Sequence, residues 1–418
     1  MKKSEKGSVA THADFSEPRG LPFVGRAELC AKIRGKLAAG GSVCLCGMQQ
    51  VGKTRVAKQV MKELRQKMVD GSSNVVLFAP RRYGKTSLVV RVLEELAVKD
   101  GIKGLCFDMT RVTNLGRFCE AYVNAVYAMA GGRKELMHKL TDYLASFRPE
   151  LTVTVAGVVR IHLDVAAALN EMSIVEALDL PEKLAEDLGA GPFVVAFDEF
   201  QEVANLSKEF ALEKIFRSCI QAHRHVRYVF FGSKTHLMKR MFADASRPFY
   251  NSAMPLPLGK PPIDESREFL ASRFREAGVL IGDEEIESIL AVSENIPYYL
   301  QELASVAFEE RTAQDAVDAK VLSSAIDGIV DKNSELYVER LSGLSCAQRD
   351  VLVALADEPA VQFTEDYRHA HALPGLSTIH TAVRGLQEAG IVDTTSEGTR
   401  IADPFFARFI RADVARVF

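Results

Sequence analysis

An α/β core, built on a parallel sheet flanked by helices, is expected from three features of this sequence. The first is residues 75–88, where an apolar run breaks at Pro80, passes through Gly84 and enters a helical pattern at Lys85. The second is residues 192–200, a fully apolar β-type run that ends in the acids Asp198 and Glu199. The third is the alternation of such runs (75–78, 104–109, 192–198, 227–233) with helical patterns. Alternating strands and helices place the strands side by side and parallel, because each helix carries the chain back across the sheet.

Strand, glycine-bearing loop and helix make a phosphate-binding P-loop. The loop amides and the helix N-terminus offer unpaired N–H groups to a polyphosphate. Lys85 would reach the β- and γ-phosphates, and the Thr86 hydroxyl would hold Mg²⁺. Ala79 stands where the strict pattern has its first glycine. Downstream, Asp198 would bind Mg²⁺ through water, and Glu199 would orient and polarise the attacking water. A metal-held γ-phosphate beside a carboxylate-held water means hydrolysis.

A second unit of the same kind lies upstream. Residues 43–54 fit the strict pattern through Gly47, Gly52, Lys53 and Thr54, and a shift of 32 residues lays one unit on the other. Two copies suggest tandem duplication of one supersecondary unit. One acid pair serves one P-loop, the one whose strand lies beside theirs, so one copy is expected to be spare.

Composition narrows the class. Apolar residues make up 47% and charged residues 26%, as in a globular protein with a real core. A net charge of −3 argues against non-specific polyanion binding by the whole chain. The seven cysteines are scattered, with no disulfide framework, and no apolar run reaches the length of a membrane span. A cytoplasmic protein without a membrane partner is expected.

In chain order, residues 1–20 read as a disordered lead-in. Residues 21–260 form the P-loop core, with the tandem units near 41–64 and 73–96. Residues 151–155 and 158–163 alternate as a hairpin. Pro181 is expected to start a new helix within 173–188. The run 227–233 should emerge beside the Asp198 strand, where open α/β sheets gather ligands. That would bring Ser233 near the γ-phosphate, and Arg240 and Arg247 follow as candidates to stabilise transition-state charge. Past residue 259 the strands stop. Residues 261–341 read as a helical lid domain, with Asp264 and Asp283 as helix caps and a third helix starting at Pro297. Residues 342–418 read as a winged-helix domain: two helical patterns, a helix over 376–389 and a short wing around Glu397 and Gly398.

The motif set resembles the archaeal and bacterial P-loop ATPases of the STAND branch of the AAA+ class. The matching stretches are residues 23–26, 79–87, 197–201, 231–234, 246–250 and 295–301. The resemblance implies a P-loop NTPase core, a lid and a winged helix working as a nucleotide-operated switch. It places Arg26, Arg82, Tyr83, Gly84, Lys85, Thr86, Ser87 and Pro297 at the nucleotide, with Gly52, Lys53 and Thr54 as the competing loop. Asn295 stands where the family has a glycine before Pro297. Arg26 has the family spacing to Lys53, whereas residues 80–86 match the family loop more closely and lead directly to the Asp108 strand. The Lys85 unit is therefore favoured, with the Lys53 unit left open.

The expected function is Mg²⁺-dependent ATP binding and hydrolysis in a switch that acts on a protein partner, with ATP and ADP as ligands and nucleotide-dependent self-assembly. The alternative is a DNA-binding transcription regulator. Its candidate recognition helix offers only His380 and Arg384 as basic groups, a weak footprint for a duplex.

Overall fold

The computed structural model describes residues 55–70, 74–131, 139–140, 142–147, 150–153, 159–163, 169–189, 192–206, 211–358, 362–395 and 398–417. The lead-in, Arg26, Gly47, Gly52, Lys53 and Thr54 lie outside the described residues.

The chain enters on α1 (Arg55–Asp70), β1 (Val75–Phe78), α2 (Lys85–Asp100), β2 (Gly104–Asp108) and α3 (Leu115–Met129). An antiparallel pair, β3 (Glu150–Val153) and β4 (Val159–His162), precedes α4 (Glu171–Leu188). Then come β5 (Phe193–Asp198), a 3₁₀ turn (Phe200–Asn205), α5 (Leu212–Ala222), β6 (Val226–Phe231), α6 (Thr235–Ala243) and β7 (Met254–Pro257).

Five strands form one parallel sheet in the order β2-β5-β6-β1-β7. Side chains alternate between its faces, as a pleated strand requires. Val76, Val195, Phe197 and Phe230 pack against α3, α4 and α5, while Val75, Leu77, Val194, Ala196 and Phe231 face the opposite core. Strands buried on both faces read as unbroken apolar runs, which is why 193–198 and 226–231 were legible. Phe197 is fully buried and stacks on Tyr228 and Phe230, each at 6.2 Å. Burying such a ring contributes about 1.5–3 kcal/mol. It also fixes the backbone from which Asp198 and Glu199 project.

Within the sheet and its flanking helices three expectations differ from the structure. The acid strand β5 is not beside the P-loop strand β1, because β6 lies between them. The loop and the first turn of α2 cross the C-terminal strand ends and span that gap. Next, α4 is one helix with Pro181 inside it. Leu178, Leu180 and Leu184 are buried on one side, and that packing outweighs the missing amide. Finally, β7 adds a fifth strand that its prolines concealed. Pro255 and Pro257 are tolerated because β7 is an edge strand, paired only with β1 among the described residues.

The C-terminal half holds α7 (Ile263–Glu276), β8 (Leu280–Ile281), α8 (Asp283–Val292), α9 (Pro297–Glu309), β9 (Ala316–Val317) and α10 (Ala319–Ser342). The strands therefore do not stop at residue 259: β8 and β9 form a short parallel pair, too brief to leave an apolar run in the sequence. Asp264 and Asp283 lie in the first turns of α7 and α8, not at the caps, which are Pro262 and Gly282. The acids still oppose the helix dipoles there. The winged helix follows as α11 (Cys346–Asp357), α12 (Glu365–Ala370), α13 (Leu376–Glu388), the antiparallel wing β10 (Val392–Thr395) and β11 (Gly398–Ile401), and α14 (Pro404–Val417). These elements share one continuous apolar core with α2 and a face of the sheet. Among the described residues no helix is long and apolar enough to cross a membrane.

Candidate nucleotide site

The site forms where β1 ends. Ala79 is 98% buried and does not have positive φ, so a methyl fits where the strict pattern has glycine. The turn is made later, by Arg82 at φ 67° and Gly84 at φ 81°. Gly84 adopts that conformation without strain and caps α2 with no side-chain bond, which leaves the first-turn amides to a ligand. Ser87 lies in the same first turn.

Lys85 is 6% exposed and folds back to donate to the carbonyls of Ala79 at 2.9 Å and Pro80 at 2.7 Å. Burial lowers its pKa to about 8, against the opposing pull of Glu199 and Asp198. Thr86 donates its hydroxyl to Asp198 Oδ2 at 2.7 Å. Burial raises the Asp198 pKa to about 6, helped by Glu199 and Asp108 and opposed by the Thr86 bond. A buried carboxylate in contact with a hydroxyl is an oxygen donor pair that fits Mg²⁺. Thr86 and Asp198 could therefore hold the ion, with nucleotide phosphates completing its shell.

Glu199 follows at φ 52°. Its Oε2 accepts from the Ser233 amide at 3.0 Å and the Ser233 hydroxyl at 2.8 Å. Strand β6 is next to β5, so Ser233 emerges beside the acids. Lys85, Thr86, Asp198, Glu199 and Ser233 thus converge on one spot. The structure does not bring Arg247 there. Its guanidinium is paired with Glu213 at the start of α5, because the turn after α6 runs back along that helix. Arg240 is exposed in the last turn of α6.

The remaining loop residues are engaged from the C-terminal half, which sequence reading missed. The α9 N-terminus, led by Pro297, meets Arg82: the Tyr298 amide donates to the Arg82 carbonyl at 3.3 Å. The Arg82 guanidinium lies 4.8 Å and 4.6 Å from the Tyr298 and Tyr299 ring centres. It also pairs with Asp403 of the winged helix at 3.0 Å. Arg400 on β11 donates to the Tyr83 hydroxyl and lies 3.7 Å from Glu294. Gly390 leaves room for Arg81, whose Nη1 would be 3.1 Å from a Cβ at that position. Asp393 is close enough to Lys85 and Arg81 for their charges to oppose the rise that burial imposes on its pKa. No local pattern announces contacts between residues more than 300 positions apart.

The Asp198 environment gives a stability prediction. Its folded-state pKa is raised, so the stabilising contribution of the neutral acid is complete below about pH 4 and is lost as pH rises through about 6. Asp198→Asn should therefore stabilise the ligand-free protein by roughly 2–3 kcal/mol at pH 8. The gain should shrink towards pH 4. Thermal melts of both proteins across that range check this, and equal melting at pH 8 would refute it.

Comparison with known proteins agrees with the architecture. A family model described as "Probable winged helix domain" matches residues 335–412. No curated protein sequence matches the chain. Among solved structures, a Walker-type ATPase of Pyrococcus abyssi is similar over 84% of this chain and 95% of its own, with 19% identity and a TM-score of 0.59. The ORC2 protein of Aeropyrum pernix, solved as ADPNP and ADP complexes, is similar over 86% of this chain and 94% of its own, with 15% identity and a TM-score of 0.50. The chain therefore has the fold of a P-loop NTPase whose parallel sheet is flanked by helices and followed by a helical lid and a winged helix.

Proposed function

We propose that this protein binds Mg²⁺–ATP on the loop of residues 79–87, hydrolyses it, and uses the cycle as a switch on a protein partner. The observation that carries this reading is the contact of Thr86 with Asp198, with Glu199 held beside them by Ser233. Lys85 would exchange its two carbonyl partners for the β- and γ-phosphates. The loop amides would bind the remaining phosphate oxygens. Mg²⁺, held by Thr86 and Asp198, would neutralise charge on the phosphates. Glu199 would orient the water whose oxygen bonds to the γ-phosphorus as the bond to the β–γ bridging oxygen breaks. Arg82, Tyr83, Gly84, Ser87 and Pro297 would complete the nucleotide surface. Arg247, turned towards Glu213, would act only on a neighbouring copy in a nucleotide-dependent assembly.

The direct test is phosphate release by the purified chain with Mg²⁺ and with EDTA. ATP that binds but is never cleaved in Mg²⁺ would remove hydrolysis from the reading.

The switch rests on the winged helix gripping the same loop. Asp403 and Asp393 bring negative charge to Arg82 and Lys85, so docking and phosphate binding compete for the loop's cations. Asp403 also caps α14, accepting from the amides of Phe405 and Phe406. Asp403→Asn keeps that cap and puts an uncharged amide N–H₂ in place of the oxygen that accepts from Arg82. It should tighten ATP binding about 2–5-fold, given how partly exposed that ion pair is. It should also speed protease cleavage between lid and winged helix. Unchanged affinity together with unchanged cleavage would sink the competition.

Nothing in the geometry favours DNA. The wing faces the loop, and the exposed side of α13 sets Arg384 beside Glu388. Duplex binding is expected to be weak and lost with added salt. A tight, sequence-selective complex at physiological salt, abolished by Arg384→Ala, would reverse that order.

A further inference from the structure

We infer that Gln201 is a positioning residue that clamps the Glu199 carboxylate for water activation. The inference rests on the proposed hydrolysis and adds a residue to it. Gln201 is 3% exposed and lies on the 3₁₀ turn that begins straight after Glu199. Its Nε2 donates to Glu199 Oε2 at 2.5 Å. That oxygen already accepts from the Ser233 amide and hydroxyl, so three donors converge on it. Among the described residues none donates to Oε1, which leaves that oxygen for the water.

The other end of the Gln201 amide supports this reading. Oε1 is buried with no hydrogen-bond partner. A buried unpaired acceptor is unfavourable, yet turning the amide over would set that oxygen against the Glu199 carboxylate. Donation to the Glu199 carboxylate, with the neighbouring Glu202 carboxylate as a further acceptor, therefore fixes the amide's orientation. Gly232 provides the space: a Cβ there would come within 2.0 Å of Gln201 Oε1. Gly232 does not have positive φ, so this glycine is required by the close approach of Gln201 and not by its own backbone. Gln201 and Gly232 thus sit on the two strand ends that carry Glu199 and Ser233, and together they hold one carboxylate oxygen still.

A flexible glutamate that is not held samples orientations in which the water is misaligned. Gln201→Leu removes the amide at nearly constant volume. Gly232→Ala leaves the amide in place and pushes its flexible end aside. For each variant, ATP affinity, saturated turnover and melting temperature are measured, alone and combined with Glu199→Gln. Turnover should fall roughly 10-fold or more, while ATP affinity stays within about twofold of wild type. In the Glu199→Gln background neither change should lower the residual rate further.

A purely structural glutamine would lower the melting temperature, and its effect would multiply with that of Glu199→Gln. That multiplication, or wild-type turnover in Gln201→Leu, overturns the clamp. If Gln201→Leu does not fold, Gly232→Ala decides by the same two criteria. A wild-type chain that binds ATP without cleaving it overturns both the hydrolysis reading and the clamp. Hydrolysis that depends on Glu199 and is indifferent to Gln201 and Gly232 overturns the clamp alone.

Discussion

Glu199→Gln should abolish ATP hydrolysis while ATP binding persists. Glutamine keeps the length of the side chain and can still accept from Ser233 through its amide oxygen. It cannot take up a proton or polarise water as a carboxylate does. Losing a positioned base lowers turnover by roughly 10²–10⁴-fold. The proposed phosphate cradle, Gly84, Lys85 and Thr86, lies on another strand–helix unit, so ATP affinity should hold within a few-fold. Measurement of Kd for ATP and of phosphate release on the same preparation separates the two effects. Wild-type turnover in Glu199→Gln would mean that the water is oriented by another group.

Much of the core was legible because parallel strands buried on both faces leave continuous apolar runs. Residues 75–78, 193–198 and 226–231 lie within two residues of the expected strands. The juxtaposition of Thr86, Asp198, Glu199 and Ser233 was legible for a related reason. The C-terminal ends of parallel strands gather on one edge, so any polar residue that ends such a run arrives there. What escaped was governed by packing at a distance. Pro255 and Pro257 signal a loop unless it is known that their strand is an edge. Pro181 signals a break unless the neighbours that bury Leu178 and Leu184 are known. Gln201 was legible only as part of a motif, since its proposed role depends on Gly232, just past the end of β6. The grip of Asp403 and Arg400 on Arg82 and Tyr83 spans more than 300 residues, beyond any periodicity. Arg247 illustrates the converse. Its position along the chain suggested the site, and its pairing with Glu213 turns it elsewhere.

Lys85→Ala should remove most ATP affinity and nearly all turnover, whereas Lys53→Ala should leave both within about twofold of wild type. Each lysine follows an apolar run and precedes a helix, so each could bind a phosphate in isolation. Hydrolysis needs in addition an acid pair within reach. The Lys85 unit supplies the inner strand β1, between β6 and β7, and its next residue, Thr86, contacts Asp198 at 2.7 Å. The helix that follows the other unit, α1, packs beside α2, with Arg65 bridging to Asp100 at 2.6 Å. An acid pair whose Asp198 is already in contact with Thr86 is expected to serve the Lys85 unit alone. Removing a buried charge that compensates two phosphates costs about 2–5 kcal/mol of binding, or roughly 30-fold to several thousand-fold in affinity. Instability does not account for that loss. Burial holds the Lys85 pKa near 8, below its ordinary value, so its charged form opposes folding at pH 7 and that penalty fades only above about pH 8. Deleting the charge relieves that penalty and offsets part of the lost packing. ATP titrations, phosphate release and a melting curve for both variants test the assignment. Loss confined to Lys53→Ala, with both proteins folded, would move the working site to residues 47–54 and make the Lys85 unit the spare copy. Equal losses in two folded proteins would mean two coupled nucleotide sites.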